Sequence, residues 1–433
     1  MTHRHDKALR VAGLARVEGE GAMYVRVEDG TVADVQLNIY EPPRFFEAFL
    51  RGRGHREPPD ITARICGICP VAYQMSACLA IEDACGVTVP APVSELRRLL
   101  YCGEWISSHA LHVYLLHAPD FLGYPSVVEL ARDHRSTVER GLALKKAGNA
   151  ILEVVGGRAI HPINVRIGGF YRAPTRNELA TLARETLRPA LDDALATVEW
   201  VAGFDYPDFT VDHELLALTD PDRYPIDRGT PATSTGRTFR VQDFERHIIE
   251  AQVPHSTALH ATLDGAGRYL TGPLARYALN HATLSPLARQ AADRAGLGVR
   301  CDNPFRSIAV RAVELVYAVD EALRLIDAYD PPSPSFVEVP ARAGEGFGAT
   351  EAPRGVLFHR YTLDSDGTIQ GARIVPPTSQ NQPSIEDDLR RYVQDRIHLD
   401  DERLTAECEQ AIRNYDPCIS CATHFLELTV ERT

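Results

Sequence analysis

Two Cys-x-x-Cys pairs near opposite ends of the chain, Cys66-Gly-Ile-Cys69 and Cys418-Ile-Ser-Cys421, constrain the fold more than any other feature. Thiolates, not thiols, bind metal, so four cysteines are worth converging where a soft metal holds them deprotonated. The pattern therefore predicts a fold that brings head and tail together around zinc, nickel or iron. A structural zinc site of four cysteines is the plainer alternative, although pairs in zinc ribbons lie much closer in sequence. The other five cysteines, Cys78, Cys85, Cys102, Cys301 and Cys408, form no motif for an iron–sulfur cluster in this chain. Nine cysteines in all are too few and too unevenly spaced for a disulfide scaffold, and reduced thiols suit the cytoplasm.

Charge narrows the partners. Lys plus Arg is 46 against 59 Asp plus Glu, and the net charge of −13 disfavours nucleic acid and anionic membrane. No segment approaches the roughly 20 apolar residues of a membrane span, and the opening Met1-Thr-His-Arg-His-Asp6 lacks the apolar core of a secretory signal. The expected location is cytoplasmic.

Hydrophobic periodicity predicts an α-rich α+β fold, with a bundle of long helices and small β-hairpins near both termini. Polar and apolar residues alternate from Met23 to Leu37 around the turn Asp29-Gly30, and again from Gly355 to Val375 around Asp366-Gly367. Between them, segments near 72–85, 93–118, 137–155, 176–203, 280–296 and 302–328 repeat at helical spacing. Short helices near 384–397 and 402–414 lead into the second cysteine pair. Gly344-Glu-Gly-Phe-Gly348 has the look of a phosphate loop, but no strand–turn–helix unit surrounds it and a nucleotide site is not expected there. His109 and His112, one helical turn apart, lack a third ligand motif and are read as packing or polar contacts.

Arg64-Ile-Cys66-Gly-Ile-Cys69-Pro70 and Asp416-Pro-Cys418-Ile-Ser-Cys421-Ala-Thr-His424 together resemble the paired signatures of the nickel–iron hydrogenase large subunit. The resemblance extends over 1–433 as a single domain. It implies that nickel takes all four thiolates, that Cys69 and Cys421 also bridge to iron carrying carbon monoxide and cyanide, and that dihydrogen is split heterolytically. Cys418 would take the first proton, and Glu18, in Arg16-Val-Glu18-Gly, would relay it. Arg354, in Ala352-Pro-Arg354-Gly, would stand beside the open metal position with Asp416 and Asp120 near it, although Asp120 could equally cap a helix. Pro377 and Thr378 would line the diatomic ligands. Glu47 and His424 would hold magnesium.

The same resemblance places His161-Pro162 on a face toward the electron-transfer partner, with a satisfied core histidine as the alternative reading. It leaves the role of Tyr73, where many family members have histidine, open. Electrons would leave through an iron–sulfur small subunit and diaphorase-type subunits to NADP, as in the bidirectional class called sulfhydrogenases. The alternatives are NAD- or deazaflavin-linked classes and a respiratory-complex homologue, which has lost the cysteine ligands. Residues 425–433 run past His424 and would be removed by a maturation endopeptidase after nickel-insertion factors have acted.

Overall fold

A computed structural model describes residues 7–42 and 44–423. The N-terminal hairpin forms as expected and gains a third strand: β1 (Lys7–Val11), β2 (Gly21–Glu28) and β3 (Thr31–Ile39) make one antiparallel sheet. Met23 pairs with Leu37 and Val25 with Val35, all facing the core, because alternate residues of a strand share a face. Asp29 and Gly30 both take positive φ at the turn, as a two-residue hairpin loop requires.

The helical core is built from α1 (Pro70–Cys85), α2 (Ala91–Ala110), α3 (Arg135–Gly156), α4 (Arg188–Ala202) and α5 (Ser307–Asp327). Helix α2 packs on α3 and α5, and α5 also packs on α4. The segments expected at 93–118 and 176–203 are helical throughout but are interrupted by wider π-turns at 111–117 and 183–187. The helix expected at 280–296 is instead two, Pro273–Asn280 and Pro286–Arg294, because Ser285-Pro286 starts a new helix with the Ser285 hydroxyl accepting from the Ala288 N–H.

The stretch between the two hairpins is less helical than expected. Strands occur at 214–219, 230–233 and 269–270, and an antiparallel pair is formed by β4 (Ile248–Val253) and β5 (Ser256–Leu263). Strand β5 is covered on both faces, so it lacks the alternation that betrays a half-buried strand. The second expected hairpin, β7 (Gly355–Leu363) with β8 (Ile369–Val375), pairs with a further strand, β6 (Gly344–Ala352). The glycines of the phosphate-loop look-alike lie in β6. A Cβ at Gly346 would sit 2.1 Å from the Ala80 carbonyl oxygen and one at Gly348 2.4 Å from that of Ser76, so they let β6 lie directly on α1.

Two helices close the chain, α6 (Pro377–Gln394) and α7 (Asp401–Arg413). Helix α6 begins earlier than 384: Pro377 starts it, and Pro383 is carried inside. Among the described residues no helix is long and apolar enough to cross a membrane.

Candidate metal centre

The head and the tail meet. The sulfurs of Cys66, Cys69, Cys418 and Cys421 all lie within 4.8 Å of one another and are buried, and none is in a disulfide. Cys66 stands 3.4 Å from Cys418, and Cys69 stands 3.5 Å from Cys421.

Each pair is positioned by its own surroundings. Cys69 directly precedes α1, whose first N–H groups would otherwise lack partners. The buried Glu104 carboxylate of α2 accepts from Val71 N at 2.6 Å and Ala72 N at 3.1 Å, which fixes where the helix starts. The Cys66 sulfur in turn accepts from the backbone N–H groups of Ile68 and Cys69, each at 3.3 Å.

The second pair sits on a short turn and is held from outside it. Cys418 N donates to the Thr378 hydroxyl at 3.0 Å, in the first turn of α6. Glu18 lies alongside: its carbonyl accepts from Ile419 N at 2.9 Å and its carboxylate from Ser420 N at 3.0 Å. Gly19 permits this approach, since a Cβ there would come within 2.7 Å of Ile419 and Glu41 in a backbone with φ +90°. Arg44 spans both pairs by donating to the carbonyls of Ile65 and Ser420.

Four thiols this close cannot all ionise without a cation among them. Burial pushes Cys66 up, but hydrogen bonds from Cys418, Cys421 and Cys69 and the Arg354 charge outweigh it and hold Cys66 well below the ordinary thiol range. Burial and the neighbouring sulfurs push Cys418 well above that range. Its sulfur is 3.1 Å from Glu18 Oε2. Burial, then the Cys66 charge, raises the Glu18 carboxyl above its usual value, so a proton there is stabilised.

Arg354 is buried beside the cluster, donating through Nε to the Asp416 carbonyl at 2.8 Å and through Nη2 to its carboxylate at 2.9 Å. Its Nη1 has no hydrogen-bond partner among the described residues. A buried cationic nitrogen left unpaired is costly. Together with four convergent sulfurs, it fits a bound metal group bearing acceptor ligands.

Asp120 is held by two arginines. Its carboxylate takes Arg413 at 2.8 and 2.9 Å and also Arg16, and it caps no helix. It thereby ties the segment of Arg16 to Glu18 to the end of α7. Glu47 is buried, accepts from Ile374 N at 2.7 Å and is raised above its usual value, chiefly by burial. His424 and the tail 425–433 lie outside the described residues. Pro377 is the first residue of α6, next to Thr378. The Tyr73 hydroxyl is pushed well up by burial and by charge on Cys421 and Cys69. His109 pairs with Glu314 at 3.0 Å and His112 contacts the Arg413 carbonyl at 2.8 Å, so both make polar contacts in the core. His161 is half-buried, next to the exposed Ile160 and near the exposed Ile163.

Sequence reasoning passed over Glu104, Arg44, Ser420 and Glu41. The Ser420 hydroxyl donates to Glu41 Oε2 at 3.1 Å, which makes Glu41 the next carboxylate beyond Glu18. Ser420 could have been suspected from its place inside the second cysteine pair; the other three carry no local signal.

The sequence profile of the nickel-dependent hydrogenase family matches residues 44–141 and 270–424. Sulfhydrogenase 1 subunit alpha of Pyrococcus furiosus is 34% identical over 420 residues, covering 96% of this chain and 97% of that protein. The NAD-reducing hydrogenase HoxS subunit beta of Cupriavidus necator is 28% identical, covering 97% and 95%. Among solved structures, an NAD+-reducing [NiFe]-hydrogenase in the H2-reduced state superposes with a TM-score of 0.88 at 26% identity, covering 96% of this chain and 99% of that one.

Proposed function

The chain belongs to the nickel-dependent hydrogenase family as a catalytic large subunit, and from that premise we propose how its residues divide the work. The observation that carries the proposal is the buried four-sulfur cluster with the Glu18 carboxylate 3.1 Å from Cys418.

The four cysteines would hold the nickel of a nickel–iron group, and Cys69 and Cys421 would also offer their sulfurs to its iron, with carbon monoxide and cyanide as that iron's other ligands. When bound, the group would supply the electrophilic metal chemistry that polarises dihydrogen for heterolytic cleavage. Cys418 is the first base, and Glu18 takes the proton from its sulfur. Burial raises the proton affinity of Glu18 above that of an exposed carboxylate, which supports its holding the proton in transit. The proton moves outward toward Glu41, along the side of Ser420 that bonds both carboxylates.

Arg354 presents its unpaired Nη1 to the ligand side of the cluster, and Asp416 fixes the guanidinium plane. Thr378 accepts from Cys418 N, which leaves its own hydroxyl proton available to a cyanide of the metal group, next to Pro377. Asp120 acts at one remove, by anchoring Arg413 and Arg16 behind Glu18. Glu47 would hold magnesium together with His424; a hard cation suits a buried carboxylate.

Electrons leave through an iron–sulfur small subunit. Ile160, Ile163 and Tyr171, exposed around His161-Pro162, support a partner face there. The names of the relatives, sulfhydrogenase and NAD-reducing hydrogenase, support diaphorase-type subunits and a nicotinamide carrier, which we take to be NADP, in a cytoplasmic enzyme. On the same reading, an endopeptidase removes residues 425–433 after nickel-insertion factors have filled the site. Intact mass of the active enzyme tests this, and an active full-length chain would refute it. Infrared bands of metal-bound carbon monoxide and cyanide, with nickel and iron counts, test the centre itself. Zinc without nickel would return the site to the structural alternative.

A further inference from the structure

A second group of metal-ligating side chains lies outside the cysteine centre. His255, in the tight connection between β4 and β5, His260 on β5 and Glu386 on α6 offer one ligand atom each, all within 4.8 Å of one another. Glu386 is eight residues beyond Thr378 on α6, about 12 Å along the helix, so the group is separate from the cysteines. We propose that these three residues bind one divalent zinc-class ion, which ties the β4–β5 hairpin to α6.

The side chains already have the disposition of a metal site. His255 Nε2 is 2.8 Å from Glu386 Oε1, and the rings of His255 and His260 meet edge to face with centroids 5.3 Å apart. Around a tetrahedral ion with bonds of about 2.0–2.1 Å, ligand atoms lie about 3.4 Å from one another, so small side-chain adjustments close the site. The outer contacts also fit. Ligating histidines and carboxylates are normally oriented by further hydrogen bonds. Here Glu386 Oε1 accepts from Leu37 N at 2.8 Å, and His260 Nε2 lies 3.1 Å from Gln382 Oε1. A glutamine oxygen only accepts, so Nε2 of His260 carries the proton and Nδ1 keeps its lone pair.

Two imidazoles and a carboxylate select zinc-class ions over magnesium or calcium, which prefer oxygen ligands throughout. The side chains of His255 and Glu386 remain 20% and 16% exposed, so the ion enters from solvent and a water completes its coordination. Because Glu386 also holds Leu37, the ion would join three segments: the hairpin, α6 and β3.

The test uses the assembled enzyme, dialysed against a chelator mild enough to leave nickel and iron in place and then titrated with Zn2+. The wild type should take up one zinc per large subunit beyond its nickel and iron, with a zinc-dependent rise in Tm. His255→Ala and Glu386→Gln should each weaken zinc at least about a hundredfold and abolish that rise, with nickel and iron unchanged. His255 lies in a hairpin connection, so its variant keeps the test alive if Glu386→Gln misfolds. A wild type that retains no extra zinc, or variants that retain as much as the wild type, would overturn the site. So would nickel lost together with zinc in His255→Ala, since the zinc would then belong to the cysteine centre.

Discussion

The two cysteine pairs meet at one point but are held by opposite kinds of structure. Cys66 and Cys69 lead directly into a sixteen-residue helix whose first turn is fixed by Glu104, deep in the helical core. Cys418 caps, and Cys421 lies in, a single turn of four residues, Ile419–Ala422, held by groups from three distant segments: Glu18, Arg44 and Thr378. The first pair is part of the scaffold, whereas the second is docked onto it. The position of the docked pair rests on contacts from distant segments, the Glu18 backbone carbonyl and carboxylate among them, rather than on a long helix of its own.

The most severe test asks whether the two halves make one site. Serine oxygen is a poor ligand for a soft metal, so Cys66→Ser and Cys418→Ser should each leave the purified chain without nickel. If one variant keeps its nickel while the other loses it, the pairs do not share a centre.

Next in size is the contribution of Glu18, which belongs to the docked side. Glu18→Gln keeps the hydrogen-bonding shape but cannot carry the proton. Hydrogen uptake should fall at least about a hundredfold, with nickel content unchanged. Full turnover in this variant would remove Glu18 from the relay and leave it only a structural contact.

A paired measurement then separates scaffold from dock directly. Glu104→Gln leaves at least one buried N–H at the start of α1 without its acceptor, at a cost of about 1–3 kcal/mol, and the whole domain should melt earlier. Arg44→Ala removes two charge-assisted bonds at the edge of the core. Its effect should be confined to faster hydrogen exchange over residues 414–423, with Tm nearly unchanged. If Arg44→Ala lowers Tm as much as Glu104→Gln, the second pair is scaffold too.

What sequence could reveal follows the same division. The cysteines, Glu18 and the Arg354–Asp416 pair sit in compact motifs, so their types and spacings were legible. Glu104 was not, because it reads as one more polar residue on an amphipathic helix until α1 is seen to start against it. Arg44 reaches residues 21 and 376 positions away, which no local pattern encodes. Asp120 carries no local signal for its partners Arg16 and Arg413, which come from opposite ends of the chain. The central strands escaped for a different reason: they are short, and β5 is buried on both faces, which erases its period of two. The zinc-class group escaped because His255, His260 and Glu386 come together only when α6 packs on β5.

The mildest prediction concerns Thr378, whose uncharged hydroxyl in the first turn of α6 accepts from Cys418 N. Thr378→Val preserves shape while removing the acceptor for Cys418 N, an effect of about 1 kcal/mol. Because the lost bond lies on the docked side, it should appear first as faster exchange of the Cys418 amide and only weakly in Tm, while Thr378→Ser restores both. The same variant also removes the hydroxyl proposed to face a cyanide ligand. A shift of the cyanide infrared bands in Thr378→Val, reversed in Thr378→Ser, would separate that role from simple support of the turn. Unshifted bands together with faster exchange would leave Thr378 as a docking residue alone.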